Sequence, residues 1–130
     1  MKPKEMSLLN NFYQIIDLEK TGDNSLSATL EINANHAIFG GHFPGIPVVP
    51  GVCMVQMVKE MLEKTLGKTA RLTASRNIKF LHVINPLEHK TVVLKLDYQE
   101  VPGGQFSVNS SIVSLSGGQF FFKMKGVFEM

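Results

Sequence analysis

Only one stretch of this chain carries a helical pattern. From Val52 to Leu66, VCMVQMVKEMLEKTL is built of straight-chain and apolar residues, and Gly67 follows where a helix takes its C-terminal cap. Outside the helix and the loop before it, the segments read as strands, most with apolar residues at period two, the spacing of a strand with one buried face. Two such segments precede the helix, NFYQIIDLEK at 11–20 and SLSATLEI at 25–32, the second with Leu26, Ala28, Leu30 and Ile32 on one face. TGDN lies between them and supplies turn residues, so a hairpin is expected. RLTASRNIKFLHVI, TVVLKLDYQE, QFSVNSSIVSL and QFFFKMKGVFEM follow the helix, separated by NPLEHK, VPGG and SGG. Two strands, a helix and four strands lack the strand-helix alternation that builds a parallel sheet. The pattern predicts an α+β chain in which a long antiparallel sheet of about six strands wraps around one central helix.

Within the helix, Val52 to Val58 is apolar on every side except Gln56, which predicts burial all round at that end. Further along, Lys59 with Glu63 and Glu60 with Lys64 are spaced four apart, as for ion pairs along an exposed face. With 130 residues, 44% of them hydrophobic and 18% charged, the chain is expected to form one domain over 1–130. A domain of that size buries about two-thirds of its unfolded surface and needs no disulfide. The lone Cys53 cannot pair within the chain, and MKPKEMSLLN lacks the apolar run of a secretory signal, so the expected location is cytoplasmic. No run of about eighteen apolar residues occurs, so no membrane span is expected. Thirteen basic against eleven acidic residues leave +2, without the concentrated charge of a nucleic-acid binder.

Chemistry concentrates between His36 and Gln56, HAIFGGHFPGIPVVPGVCMVQ, directly before and into the helix. Pro44, Pro47 and Pro50 each fix a backbone φ, while Gly41 and Gly45 admit conformations that other residues resist. The prolines and glycines exclude regular structure across 33–51 and predict an ordered loop. His42 stands in it beside Phe43, and its imidazole titrates near neutrality, which suits a general base and equally an ordinary polar loop residue. At Pro50-Gly51-Val52 the first helical N–H groups lack intrahelical acceptors and, with the macrodipole, suit a polarised carbonyl oxygen. The plain alternative is a turn that launches a helix. Cys53 reads as a small buried hydrophobe, His36 as a polar loop residue, and His82 and His89, flanking Asn85-Pro86, as solvent-facing. These histidines show no zinc-ligand spacing.

The run Gly41-His42-Phe43-Pro44-Gly45-x-Pro47-x-x-Pro50-Gly51-Val52 closely resembles the signature of the bacterial 3-hydroxyacyl-acyl carrier protein dehydratases, which have the hot-dog fold. The resemblance implies a homodimer or higher homo-oligomer with the acyl tunnel between subunits. It further implies dehydration of a (3R)-3-hydroxyacyl thioester of acyl carrier protein or coenzyme A to the trans-2-enoyl thioester, without metal or organic cofactor. His42 then takes the C2 proton and the Gly51 N–H polarises the thioester carbonyl. The family's third element is a carboxylate fourteen residues after the histidine, supplied across the dimer interface. Gln56 occupies that position here.

An amide cannot protonate a leaving hydroxyl, so the departure at Gln56 leaves several readings. In one, His42 shuttles the proton and Gln56 positions the hydroxyl or a water. In another, Glu60, one turn on and about 6 Å up the helix, substitutes as the acid. A third makes the chain a non-catalytic acyl-carrier-binding protein or one subunit of a heteromer with a competent paralogue. The fourth is thioester hydrolysis, since the fold alone does not set the reaction. Lys64, Lys68, Arg71, Arg76 and Lys79, with no acid among them, form either a docking face for acyl carrier protein, as the resemblance implies, or a solvated surface. Met54, Met57 and Met61 suit an acyl tunnel and a packed core equally.

Overall fold

The computed structural model describes residues 7–40 and 47–130, so His42, Gly41, Phe43, Pro44 and Gly45 lie outside the described residues. Strands β1 (Tyr13–Gly22) and β2 (Ser25–Ile32) form the expected hairpin, and helix α1 (Gly51–Leu66) is followed by β3 (Arg71–Phe80), β4 (Thr91–Val101), β5 (Gln105–Ser114) and β6 (Phe120–Glu129). All neighbours are antiparallel, in the order β1-β2-β4-β5-β6-β3, so β1 and β3 are the edges. The α+β arrangement expected from the pattern is the one observed. No helix among the described residues is long and apolar enough to cross a membrane.

The boundaries differ where local hydrogen bonds override alternation. The first strand starts at Tyr13, because the Leu8 carbonyl accepts the N–H groups of Asn11, Phe12 and Tyr13 and closes a turn before it. The 33–51 loop holds a short 3-10 turn over Ala37–Gly40, where none was expected. The third predicted strand stops at Phe80 instead of reaching Ile84. Beyond it the buried Ile84 carbonyl accepts the Val49 N–H at 2.9 Å, so this segment braces the approach to α1.

Helix α1 lays Cys53, Met54, Met57, Val58, Met61 and Leu62 against the sheet, a stripe at helical spacing. The facing residues include Ala28 and Leu30 of β2, Leu94 and Leu96 of β4, Ile112 of β5 and Phe122 of β6. Registers connect one row across all six strands: Leu18, Ala28, Leu94, Ile112, Phe122 and Phe80. At the β3 end of that row Phe80 packs on Phe122, ring centroids 5.5 Å apart, yet is 55% exposed. The helix start is not buried all round as its sequence predicts: Val52 is 64% exposed. Among the described residues one sheet forms, and it leaves the Val52 side of the helix start uncovered. The C-terminus ends on Gly67 at φ 69°, a left-handed conformation glycine adopts without a Cβ penalty, with its N–H donating to the Glu63 carbonyl.

Met57 is fully buried at the centre of the stripe. Met57→Ala is expected to destabilise the fold by about 2–5 kcal/mol, the range for truncating a large core side chain, as read from urea unfolding monitored by circular dichroism.

Candidate active site at the start of helix α1

Pro50 is the N-cap of α1, in an extended conformation at φ −62° and ψ 147°. Its carbonyl accepts the N–H groups of Cys53 at 3.0 Å and Met54 at 3.3 Å. Proline has no side-chain oxygen to cap the preceding donors, and no described residue accepts from the N–H of Gly51 or Val52. Two donors therefore stand open at the positive end of the helix dipole. A Cβ at Gly51 would lie 2.8 Å from the Phe80 ring, so any other residue would push that ring aside. Pro47 and Pro50 are half-buried on either side of the buried Val49. The structure thus brings Pro47, Pro50, Gly51 and Val52 together.

Gln56 is half-buried on the same helix, and its Nε2 donates to Glu60 Oε2 at 2.9 Å. Glu60, expected on an exposed face beside Lys64, is instead only 7% exposed. Its Oε2 also accepts the Leu8 N–H at 2.8 Å, and its Oε1 accepts the Leu9 N–H at 3.0 Å and the Tyr13 hydroxyl at 2.7 Å. Burying a carboxylate is costly unless donors replace its water, and four donors do so here. The Tyr13 phenol is pushed well above its ordinary pKa, first by burial and then by Glu60, so it remains a donor. Fully engaged in this way, Glu60 is not arranged to replace the missing acid. Sequence reasoning missed this cluster, although Glu60 falls seven residues after Cys53 and three after Met57, on the edge of the buried stripe.

Beside Gln56 opens a cavity of about 530 Å³ lined also by Leu9, Lys59, Lys64 and Lys68. Of the other basic residues, Arg71 pairs with Glu129, while Arg76 and Lys79 lie exposed on the β3 edge. Cys53 is buried, and its thiol is pushed up to about 11 by burial, with the Glu60 charge adding to it. His36 is tied locally: its Nδ1 accepts the Ile38 N–H at 3.1 Å and its ring meets Phe12 edge-on. His82 is exposed as expected, but His89 is half-buried with its ring 5.0 Å from that of Phe121, an aromatic contact that draws it out of solvent. Met54, Met57 and Met61 are core residues in this chain.

An antiparallel sheet wrapped around one helix is the hot-dog arrangement. Among solved structures, the dehydratase heterocomplex ApeI:P from Xenorhabdus doucetiae matches with a TM-score of 0.70 at 20% identity, over 89% of this chain and 96% of that one. A hypothetical thioesterase with coenzyme A from Streptococcus pneumoniae TIGR4 matches with a TM-score of 0.63 at 12% identity, over 93% and 90%. These likenesses establish the fold. The sequence narrows it further, because the family model for ApeI-like dehydratases (ApeI dehydratase) matches residues 18–119, and the chain belongs to that family. It is 34% identical over 107 residues to the 3-hydroxyacyl-[acyl-carrier-protein] dehydratase FabZ of Lactiplantibacillus plantarum, covering 74% of this chain and 70% of the relative. The corresponding enzyme of Levilactobacillus brevis is 27% identical over 118 residues, covering 82% and 80%.

Two outcomes are expected from this geometry. At pH 8 a thiol at about 11 holds about 100-fold less thiolate than one at the ordinary 9.0, so native Cys53 should react with iodoacetamide at least that much more slowly than urea-unfolded protein, read by mass spectrometry. Gln56→Glu places a second carboxylate against Glu60, and the folded pair then holds a proton that the unfolded chain releases. Stability contributed by that proton is lost as pH rises, so Gln56→Glu should cost about 1–3 kcal/mol more at pH 8 than at pH 5, read from paired melts of variant and wild type.

Proposed function

We propose that this chain, as one domain over 1–130, dehydrates a (3R)-3-hydroxyacyl thioester to the trans-2-enoyl thioester, in a site shared by two copies. The observation that carries this reading is the pair of open N–H groups at Gly51 and Val52 on the helix that also presents Gln56, in a chain of the ApeI-like dehydratase family. The thioester oxygen sits on the Gly51 N–H, where the helix dipole stabilises the charge that develops as C2 is deprotonated. His42 takes that proton. The C2–H electrons form the C2=C3 bond as the C3–O bond breaks, and the hydroxyl leaves as water with the proton His42 returns. Gln56 holds the leaving oxygen. Gly41, Phe43, Pro44, Gly45, Pro47 and Pro50 shape the loop that presents His42.

Dimer formation is supported by the unpaired β3 edge and by apolar side chains exposed near it and the helix start, Val52, Phe80 and Val83. The carrier on the thioester is acyl carrier protein or coenzyme A. The first is in the name of the FabZ relatives, and the second is present in the pneumococcal fold neighbour. A heteromer is the second reading, favoured by the amide at Gln56: a partner chain bearing the acid would complete a site containing His42. The ApeI:P structure, a heterocomplex, is a fold-level parallel.

Purified protein incubated with 3-hydroxyacyl and trans-2-enoyl carrier-protein thioesters should interconvert them without release of free thiol. His42→Ala should lower the rate at least about 100-fold and Gln56→Glu should raise it, followed by the enoyl absorbance and mass of the acyl chain. Turnover only after adding a second dehydratase-like chain would establish the heteromer instead, and thiol release would mean hydrolysis. Absence of both in every combination overturns the enzyme reading.

A further inference from the structure

We infer that Glu60 is the positioning residue for Gln56, an inference that rests on the dehydratase reading of the site. A carboxamide has a donor end and an acceptor end, and only the donor end can meet a carboxylate. The 2.9 Å bond from Gln56 Nε2 to Glu60 Oε2 therefore fixes which way the amide lies. Its carbonyl oxygen, with two lone pairs, is turned away from Glu60. That oxygen accepts the O–H of the substrate's 3-hydroxyl and so fixes the direction of the hydroxyl's lone pairs. In the hydration direction the same oxygen accepts from the attacking water.

Glu60 is fit for this because it is itself immobilised. The Leu8 and Leu9 N–H groups and the Tyr13 hydroxyl hold its two oxygens from the side of the N-terminal segment and β1, while its backbone belongs to α1. A glutamine on a helix surface has three freely rotating side-chain bonds and an amide that flips. Bonded to a carboxylate pinned on three other sides, it presents one face. Glu60 acts through Gln56, without touching substrate.

The test is a double-mutant cycle on turnover of a 3-hydroxyacyl carrier-protein thioester, with folding of each variant checked by circular dichroism below its melting temperature. Glu60→Gln should lower kcat at least about tenfold with KM within about twofold of wild type, because a carboxamide offers one accepting oxygen where four donors converge on two. In a Gln56→Ala background the same Glu60→Gln change should have no further effect on kcat. Where Glu60→Gln does not fold, Glu60→Asp, which keeps the charge but falls short of Gln56, takes its place with the same expected pattern. In ¹⁵N-labelled wild type the Gln56 side-chain amide protons should be protected from exchange, and that protection should be lost in either Glu60 variant. Equal losses of kcat in both backgrounds would show a purely structural role and overturn the inference while leaving the dehydratase reading intact. A wild type that turns over no thioester overturns both.

Discussion

A carboxylate removed from water must find donors, and the donors that meet Glu60 come from three parts of the chain. Leu8 and Leu9 belong to the segment before the sheet, Tyr13 opens β1, and Gln56 lies one turn back on α1. Cys53, Met57 and Met61 pack in the core along the apolar stripe that Glu60 borders. Glu60 adds polar contacts along the edge of that stripe. Because unpaired donors in a buried site are costly, the cluster is all or nothing, and it ties the orientation of Gln56 to the docking of the N-terminal segment.

The rest of the site follows from what one sheet cannot cover. An apolar row runs from Leu18 through Ala28, Leu94, Ile112 and Phe122 to Phe80, and it ends on the unpaired β3 edge beside the helix start. Phe80 and Val52 are left exposed there, with the Gly51 backbone closely beneath the Phe80 ring. Proline at the N-cap denies the first N–H groups a side-chain acceptor. Apolar walls and open donors side by side suit an acyl thioester, whose tail is greasy and whose carbonyl is polar. A second copy covering the β3 edge would enclose both.

Much of the fold was legible in the sequence because each strand buries one face against one helix. Leu26, Ala28, Leu30 and Ile32 alternate as read, and Gly67 ends the helix where expected. What failed did so for local or missing-partner reasons. Leu81 to Ile84 look like strand, but only Leu81 and His82 still donate to Phe121 of β6, while the Ile84 carbonyl turns to the Val49 N–H before α1. Val52 looks like core, and stays exposed because the described residues supply no second wall over it. Glu60 looks like a surface ion-pair partner of Lys64, whereas its true partners are backbone groups and a phenol brought near only by the tertiary fold. Pattern reading weighs side chains against their neighbours in sequence, and a buried carboxylate satisfied by distant donors leaves only a position on the apolar stripe as its trace. The loop signature around His42 was legible as a resemblance, and Gly51 and Val52 open the helix with N–H groups that no described residue accepts.

The central claim is that His42 of one copy works with Gln56 of another, and mixing two impaired variants tests it most directly. His42→Ala and Gln56→Ala chains are purified separately, mixed, dissociated and reassociated, then assayed for thioester dehydration. A mixed dimer regains one site built wholly from intact residues, so random reassociation should restore about a quarter of wild-type activity. Activity no greater than the sum of the two unmixed variants would contradict a site shared between chains.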